Sequence, residues 1–184
     1  MMMNVSKVID AVSLAREPEQ TSGMLSEVFA RVQDLRDFYP TFDKWLAERV
    51  VPGLQTGERS ILIEYRQGQL AALAILKDGD EEKKLCCLRV LPDFEDRHGL
   101  GVRLFEKSFE QLGTSAPLLS VAEERLPVFQ RLFDHFGFEL GASHEGIYRP
   151  GRTEYAFNGI LLVPNEGARL IRASGSDLVT GLGQ

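Results

Sequence analysis

The sequence predicts an α/β domain: a mixed, mostly antiparallel sheet with helices on both faces. Three observations point there. Short apolar segments separated by turn residues run from Ser60 to Leu91, the pattern of an antiparallel meander. A strand, helix, strand sequence follows from Lys84 to Val121, the length of a right-handed crossover between parallel strands. Segments of helical period precede the meander and follow the crossover. The 184 residues, 43% of them hydrophobic, are enough for one globular unit with a real core.

Taken in order, Ser6 to Leu14 has a β-branched, partly alternating pattern and reads as a first strand, with a short helix as the alternative for so brief a run. Thr21-Ser22 then opens a helix carrying Leu25, Val28, Phe29 and Val32 at helical spacing to about Leu35. Thr41 to Val51 is a second helix, with Phe42, Trp45, Leu46 and Val50 on one face and a stop at Pro52-Gly53. The meander comprises Ser60 to Arg66, a Gln67-Gly68 turn, Leu70 to Leu76, a turn at Lys77 to Asp80, and Lys84 to Leu91. Its third segment, Leu85-Cys-Cys-Leu-Arg-Val-Leu91, is almost continuously apolar, as a central strand covered on both faces would be.

Leu100, Leu104, Phe105, Phe109 and Leu112 mark the crossover helix, closed by Gly113, and Pro117 to Val121 is the strand after it. Pro127 starts a helix with Val128, Phe129, Leu132, Phe133 and Phe136 on one face and Gly137 as its cap. A strand begins at Phe138 to Leu140, and a last one falls at Tyr155 to Phe157 or Ile160 to Val163. This places one domain over residues 1–159 and an extension over 160–184, a short strand followed by a small, polar, frayed tail.

Composition narrows function by exclusion. The net charge of −6 argues against a broad nucleic-acid footprint. The longest apolar run, Leu70 to Leu76, is far short of the roughly 20 residues that span a bilayer, and Lys7 and Asp10 interrupt any secretory leader. A cytoplasmic protein is expected. Adjacent Cys86 and Cys87, on opposite faces of a strand, read as small buried hydrophobes, and His98, His135 and His144 show no metal-ligand spacing.

The segment Pro92-Asp-Phe-Glu-Asp-Arg-His-Gly-Leu-Gly-Val-Arg-Leu104 carries the chemistry. Gly99 and Gly101 stand between a strand and a helix, where backbone N–H groups and the positive end of the helix dipole favour an anion such as a pyrophosphate. A dinucleotide fingerprint would need a third glycine near Leu104, and a Walker loop would need Gly-Lys-Ser/Thr. Both are absent.

With these motifs the chain resembles the GNAT N-acetyltransferase superfamily. The resemblance runs from about Ser6 to Phe157. It rests on the element order, on Val90-Leu91-Pro92 leading into Arg97-His98-Gly99-Leu100-Gly101, and on Leu132-Phe-Asp-His-Phe-Gly-Phe138, which matches the family's Gly-Phe segment. It implies acetyl-CoA as cosubstrate and a primary amine of a small molecule or protein as acceptor. The backbone of Leu88, Arg89 and Val90 would pair with the pantetheine, and the groups of Arg97, His98, Gly99, Leu100, Gly101, Val102 and Arg103 would hold the pyrophosphate. Phe133 belongs to this cofactor set too, standing where the family's usual general acid, a Tyr, would be, with no proton to donate. Asp96 replaces the Gln/Arg three residues before the first glycine, and Asp93 and Glu95 add negative charge beside the anion site.

For catalysis, Glu123, following the crossover strand with Glu124, is placed to deprotonate an ammonium; the alternative is a solvated loop at a helix N-terminus. Ser120 would line the acetyl pocket or satisfy a backbone group, and Tyr148, like His135, is a fallback proton donor. Phe38, Tyr39, Phe42 and Trp45 pack as core or wall the acceptor. The acidic total favours a cationic acceptor. A homodimer through an edge strand at Ile160 to Val163 is a further expectation. The rival reading is a CoA-binding sensor or interaction module that has lost catalysis.

Overall fold

The computed structural model describes residues 4–95 and 99–162, together with the backbone of 169–172 and 178–179. The chain forms two compact units. The first runs to Ser115, less an excursion at Asp37–Pro40, and the second comprises that excursion and the chain from Ala116.

In the first unit, β1 (Val5–Ile9), β2 (Arg59–Arg66), β3 (Gln69–Asp78) and β4 (Lys83–Val90) form a sheet in the order β1-β2-β3-β4, antiparallel throughout. The expected first strand stops early. Asp10 accepts from the amide of Ser13 at 2.8 Å while Ser13 Oγ accepts from the amide of Asp10 at 2.9 Å, a reciprocal cap that starts α1 (Ala11–Arg16) where alternation alone would continue the strand.

The first long helix, α2 (Pro18–Arg31), begins at its proline rather than at Thr21 and gives way to a 3₁₀ segment at Gln33–Asp37. The second passes through the expected stop: α3 (Phe42–Trp45) widens into a π turn at Leu46–Val50 and continues as α4 (Val51–Thr56), ending at Gly57 with φ +83°. Pro52 stands directly after the π turn, as the second residue of α4.

Helices cover both faces of this sheet. On one, Tyr65 donates to Glu27 Oε2 of α2 at 2.9 Å and Arg59 lies against Gly53 of α4. The opposite face carries Leu62 and Glu64, with their register partners Ala74 and Ala72, and meets α5 (Leu100–Leu112). Glu64, 1% exposed, is bonded there by Lys107 of α5 and by Ser6 of β1, and at 3.0 Å by Arg66. Burial pushes the Glu64 carboxyl up, and the bonds from Lys107, Ser6 and Arg66 more than offset it, so it ionises below the ordinary carboxylate value.

The second unit has β5 (Leu119–Ala122), α6 (Leu126–Phe136), β6 (Leu140–Glu145), β7 (Thr153–Phe157), β8 (Arg169–Arg172) and β9 (Leu178–Val179), with strand order β5-β7-β6-β8-β9. All pairings among the described residues are antiparallel. The parallel pair expected from the crossover does not form, because β4 and β5 are edge strands of separate sheets and β5 makes its ladder with β7. Residues 160–162 lie outside any strand and Val163 outside the described residues; the segment beside β6 is β8, inside the expected tail. No helix of the described residues is long and apolar enough to cross a membrane.

Candidate functional site

The first candidate region is the free edge of β4. The sequence reads as a central strand, yet β4 ends its sheet, and Leu88, Arg89 and Val90 are half-buried. The amide of Leu91 donates to Ala71 of β3 at 2.9 Å. Backbone polar groups alternate sides along a strand, so Arg89 also faces β3, whereas the N–H and C=O of Leu88 and Val90 face the open edge. An apolar strand with two residues' worth of unpaired backbone is suited to an extended ligand that pairs like an added strand.

The chain leaves β4 through a 3₁₀ turn at Pro92–Phe94 and enters α5 at Gly99. Gly99 is the N-cap, with φ +65°, a left-handed conformation that favours glycine, and no side chain among the described residues caps the helix. The amides of Leu100, Gly101 and Val102 have no carbonyl available inside the helix. The Arg103 amide differs, since it donates to the Gly99 carbonyl at 3.1 Å. No acidic residue stands in the first turn of α5 to compete. Arg97 and His98 lie outside the described residues.

The second region belongs wholly to the other unit. Glu123 and Glu124 follow β5, and both are tied to arginines: Arg152 donates to Glu123 Oε1 at 3.1 Å and Arg149 to Glu124 Oε2 at 2.8 Å, with Arg152 also 3.8 Å from Glu124 Oε1. The Arg149 hydrogen bond, helped by the backbone amide of Glu124, brings that carboxyl down to about 2. Ser120 is half-buried in β5 opposite Ala156. Tyr148 packs on Leu118, Ile147, Ala156 and Leu161 and meets Tyr39 edge-on, ring centroids 5.1 Å apart.

Phe133 is core. It is 1% exposed, amid Phe129, Phe138 and Phe157, the last with its centroid 4.4 Å away. A ring enclosed in this way packs the unit. His135 is exposed on α6.

A polar cluster escaped the sequence reading. Glu154, 3% exposed in β7, accepts from Tyr39 Oη at 3.1 Å and stands opposite His144 of β6, itself buried and accepting the Leu161 amide on Nε2 at 3.2 Å. Phe38, next to Tyr39, lies beneath the guanidinium groups of Arg125 and Arg149, at 6.0 and 5.5 Å. The signal was present in Thr153-Glu-Tyr-Ala-Phe157: Glu154 shares the alternation of Ala156, so a charge occupies an inward position. Nothing local marks Tyr39 as its partner across 115 residues of chain.

No family model matches the chain, and no curated protein matches it. Solved structures do. Escherichia coli ElaA superposes at a TM-score of 0.57 with 13% identity over 84% of this chain and 98% of that one. A GNAT-family acetyltransferase from Bacillus cereus gives 0.55 with 14% identity over 84% and 95%. Of a nourseothricin acetyltransferase the chain spans less than two thirds, 65% of that protein and 55% of this one, at 18% identity and a TM-score of 0.49. Identities this low speak for a shared fold.

Proposed function

From the GNAT fold of this chain we propose that it is an N-acetyltransferase moving an acetyl group from acetyl-CoA to a primary amine of a small molecule or a protein. One observation carries the reading: an edge strand whose Leu88 and Val90 backbone faces the open edge leads, within the same unit, to a glycine-opened helix N-terminus. The first suits the amides of pantetheine and the second a pyrophosphate.

Acetyl-CoA, when bound, supplies the thioester. The chain's own groups do the rest. Leu88 and Val90 align the pantetheine by strand pairing. The amides of Leu100, Gly101 and Val102, with the Arg103 guanidinium, hold the phosphates, and Arg97 and His98 are candidates for the same work. The Val90 N–H, facing the open edge, donates to the thioester carbonyl as negative charge gathers on its oxygen. Glu123 is the candidate acceptor of the ammonium proton, with Arg152 as the group that holds it in place. Ser120 and Tyr148 are kept as pocket residue and candidate proton donor.

A second reading has an observation of its own. Phe133 is enclosed where the family's phenol would stand, so a CoA-binding sensor or interaction module without turnover is the alternative.

Calorimetric titration with acetyl-CoA, with NAD and ATP as controls, tests both. Selective binding that Gly99→Glu abolishes is expected, since the new side chain brings a negative charge to the anion site and a Cβ to a left-handed backbone. Release of free thiol with any amine then selects the enzyme over the sensor. No binding by a folded protein would overturn the enzyme and the CoA sensor alike and leave the interaction module.

A further inference from the structure

Arg89 interrupts the apolar run of β4. It pairs in register with Leu73, on the sheet face that also carries Ile75 and Cys87, opposite the face that meets α5. Its side chain is 15% exposed, so most of a permanent charge is withdrawn from water, which is costly unless the charge is paired and hydrogen-bonded. The pairing is incomplete. Arg89 Nη2 donates to Asp34 Oδ2 at 2.6 Å, while Arg89 Nε is the one buried side-chain nitrogen or oxygen without a partner among the described residues.

Nε–H and an Nη N–H form the planar edge of a guanidinium that matches the two oxygens of a carboxylate. Here one tine is taken and the other is empty. The carboxylate on the filled tine comes from a residue on a 3₁₀ segment that keeps 53% of its side chain in solvent. An exposed acid bound by a single contact is exchangeable, and an exposed ion pair contributes little to stability. Cys87, two residues away on the same face, adds no competing negative charge, because burial pushes its thiol up to about 12.

We propose that Arg89 is a carboxylate-binding, specificity-determining residue, that Asp34 is a displaceable stand-in for a ligand carboxylate, and that the acceptor is therefore an amine that also carries a carboxylate group. The inference rests on the acetyl-transfer reading for its last clause only. Arg89 is the residue before Val90, whose backbone faces the edge assigned to the thioester, so an acceptor held by its carboxylate at Arg89 has its amine on the strand that presents the acyl group. The net charge of −6 points to a cationic acceptor; a single fork on the reacting strand is the more specific feature.

The test reads Arg89 directly. The ¹⁵N resonance of its Nε–H, identified by its loss in Arg89→Lys, is followed during titration of the full-length protein with acetate and, separately, with methylammonium at constant ionic strength. A saturable shift with acetate alone is expected, with acetate bound about ten times more tightly in Asp34→Asn, where the internal competitor is gone. No saturable shift in either protein, or an acetate affinity indifferent to Asp34→Asn, overturns the proposal. In a second arm, thiol release is compared for phenylalanine against phenethylamine and for tyrosine against tyramine. A preference for the carboxylated member of about ten- to a hundredfold in kcat/KM, cut to near unity in Arg89→Lys with kcat less affected than KM, is expected. Equal use of both members overturns the acceptor assignment. Acetate binding without thiol release from any amine leaves the carboxylate site standing and overturns acetyl transfer instead, and melting curves of both variants show that each is folded.

Discussion

The two units hold their functional groups by different means. In the first, β2 and β3 bury an almost unbroken apolar set, Ile61, Ile63, Leu73 and Ile75, and the groups offered to a ligand are backbone: the edge of β4 and the first turn of α5. In the second, the apolar centre is a ring cluster from α6 and β7, and the groups on offer are side chains tied to one another: Tyr39 to Glu154, Arg149 to Glu124, Arg152 to Glu123. A backbone site tolerates sequence change, since any residue supplies an amide. A side-chain network does not. The first unit's candidate groups thus depend on backbone placement, and the second unit's depend on the particular side chains of this chain.

The largest expected effect tests whether the ring cluster carries the second unit. Phe133→Ala removes the buried centre of four rings and should cost about 4 kcal/mol, from lost burial and the cavity left behind. Hydrogen exchange is the measurement. Amides of β6 and β7 should lose protection while those of β2 and β3 keep most of theirs. Equal loss in both sheets would mean one cooperative body and would remove the contrast.

Next comes the bulge that sets β6 against β7. Pairing slips between Leu140 and Ala142, leaving Gly141 unpaired, and a Cβ on Gly141 would lie 2.0 Å from the carbonyl oxygen of Gly159. Backbone cannot yield as a side-chain tip can. Gly141→Ala should therefore cost about 3 kcal/mol by urea denaturation, whereas Gly23→Ala, where a Cβ meets nothing within 4 Å on α2, should stabilise slightly.

These elements show what the sequence made legible. The meander, α5 and α6 were readable to within two residues because apolar period, turn residues and glycine caps are local signals. The strand placed over Ser6 to Leu14 went wrong where a short-range cap outweighed alternation, at Asp10 and Ser13. Other features were illegible for a different reason. That β4 lies at an edge, that Arg89 meets Asp34, and that Tyr39 meets Glu154 are long-range facts, fixed by topology and not by any window of sequence. The apolar run of β4 even pointed the wrong way: it matches a buried central strand, and its apolar character is equally what a strand needs if a ligand is to cover it.

The charge cluster of the first unit offers a smaller effect with a pH signature. Glu64→Gln leaves Lys107 without its acid and should cost about 2 kcal/mol at pH 7, less than a fully buried pair because Lys107 keeps 38% of its side chain in solvent. The Glu64 carboxyl is depressed in the folded protein, so its contribution is complete above the unfolded value of about 4.3 and is lost as pH falls through the lower folded value. Denaturation midpoints of wild type and Glu64→Gln should accordingly converge as the pH is taken below about 4. A gap that stays constant down to acid pH would show that Glu64 acts through packing alone.

The smallest effect lies in the exposed network of the second unit and separates position from stability. Arg149→Met removes the bond that brings Glu124 down to about 2, so the Glu124 carboxyl, followed by ¹³C resonance, should titrate closer to the ordinary 4.3, while stability changes by less than about 1 kcal/mol. Glu123 keeps its own hydrogen bond from Arg152 in this variant. A Glu124 resonance that does not move would show that Arg152, 3.8 Å from Glu124 Oε1, supplies the holding charge instead. A Glu124 that does move separates the two arginines, Arg149 acting on Glu124 and Arg152 left to hold Glu123, the carboxylate proposed as the proton acceptor.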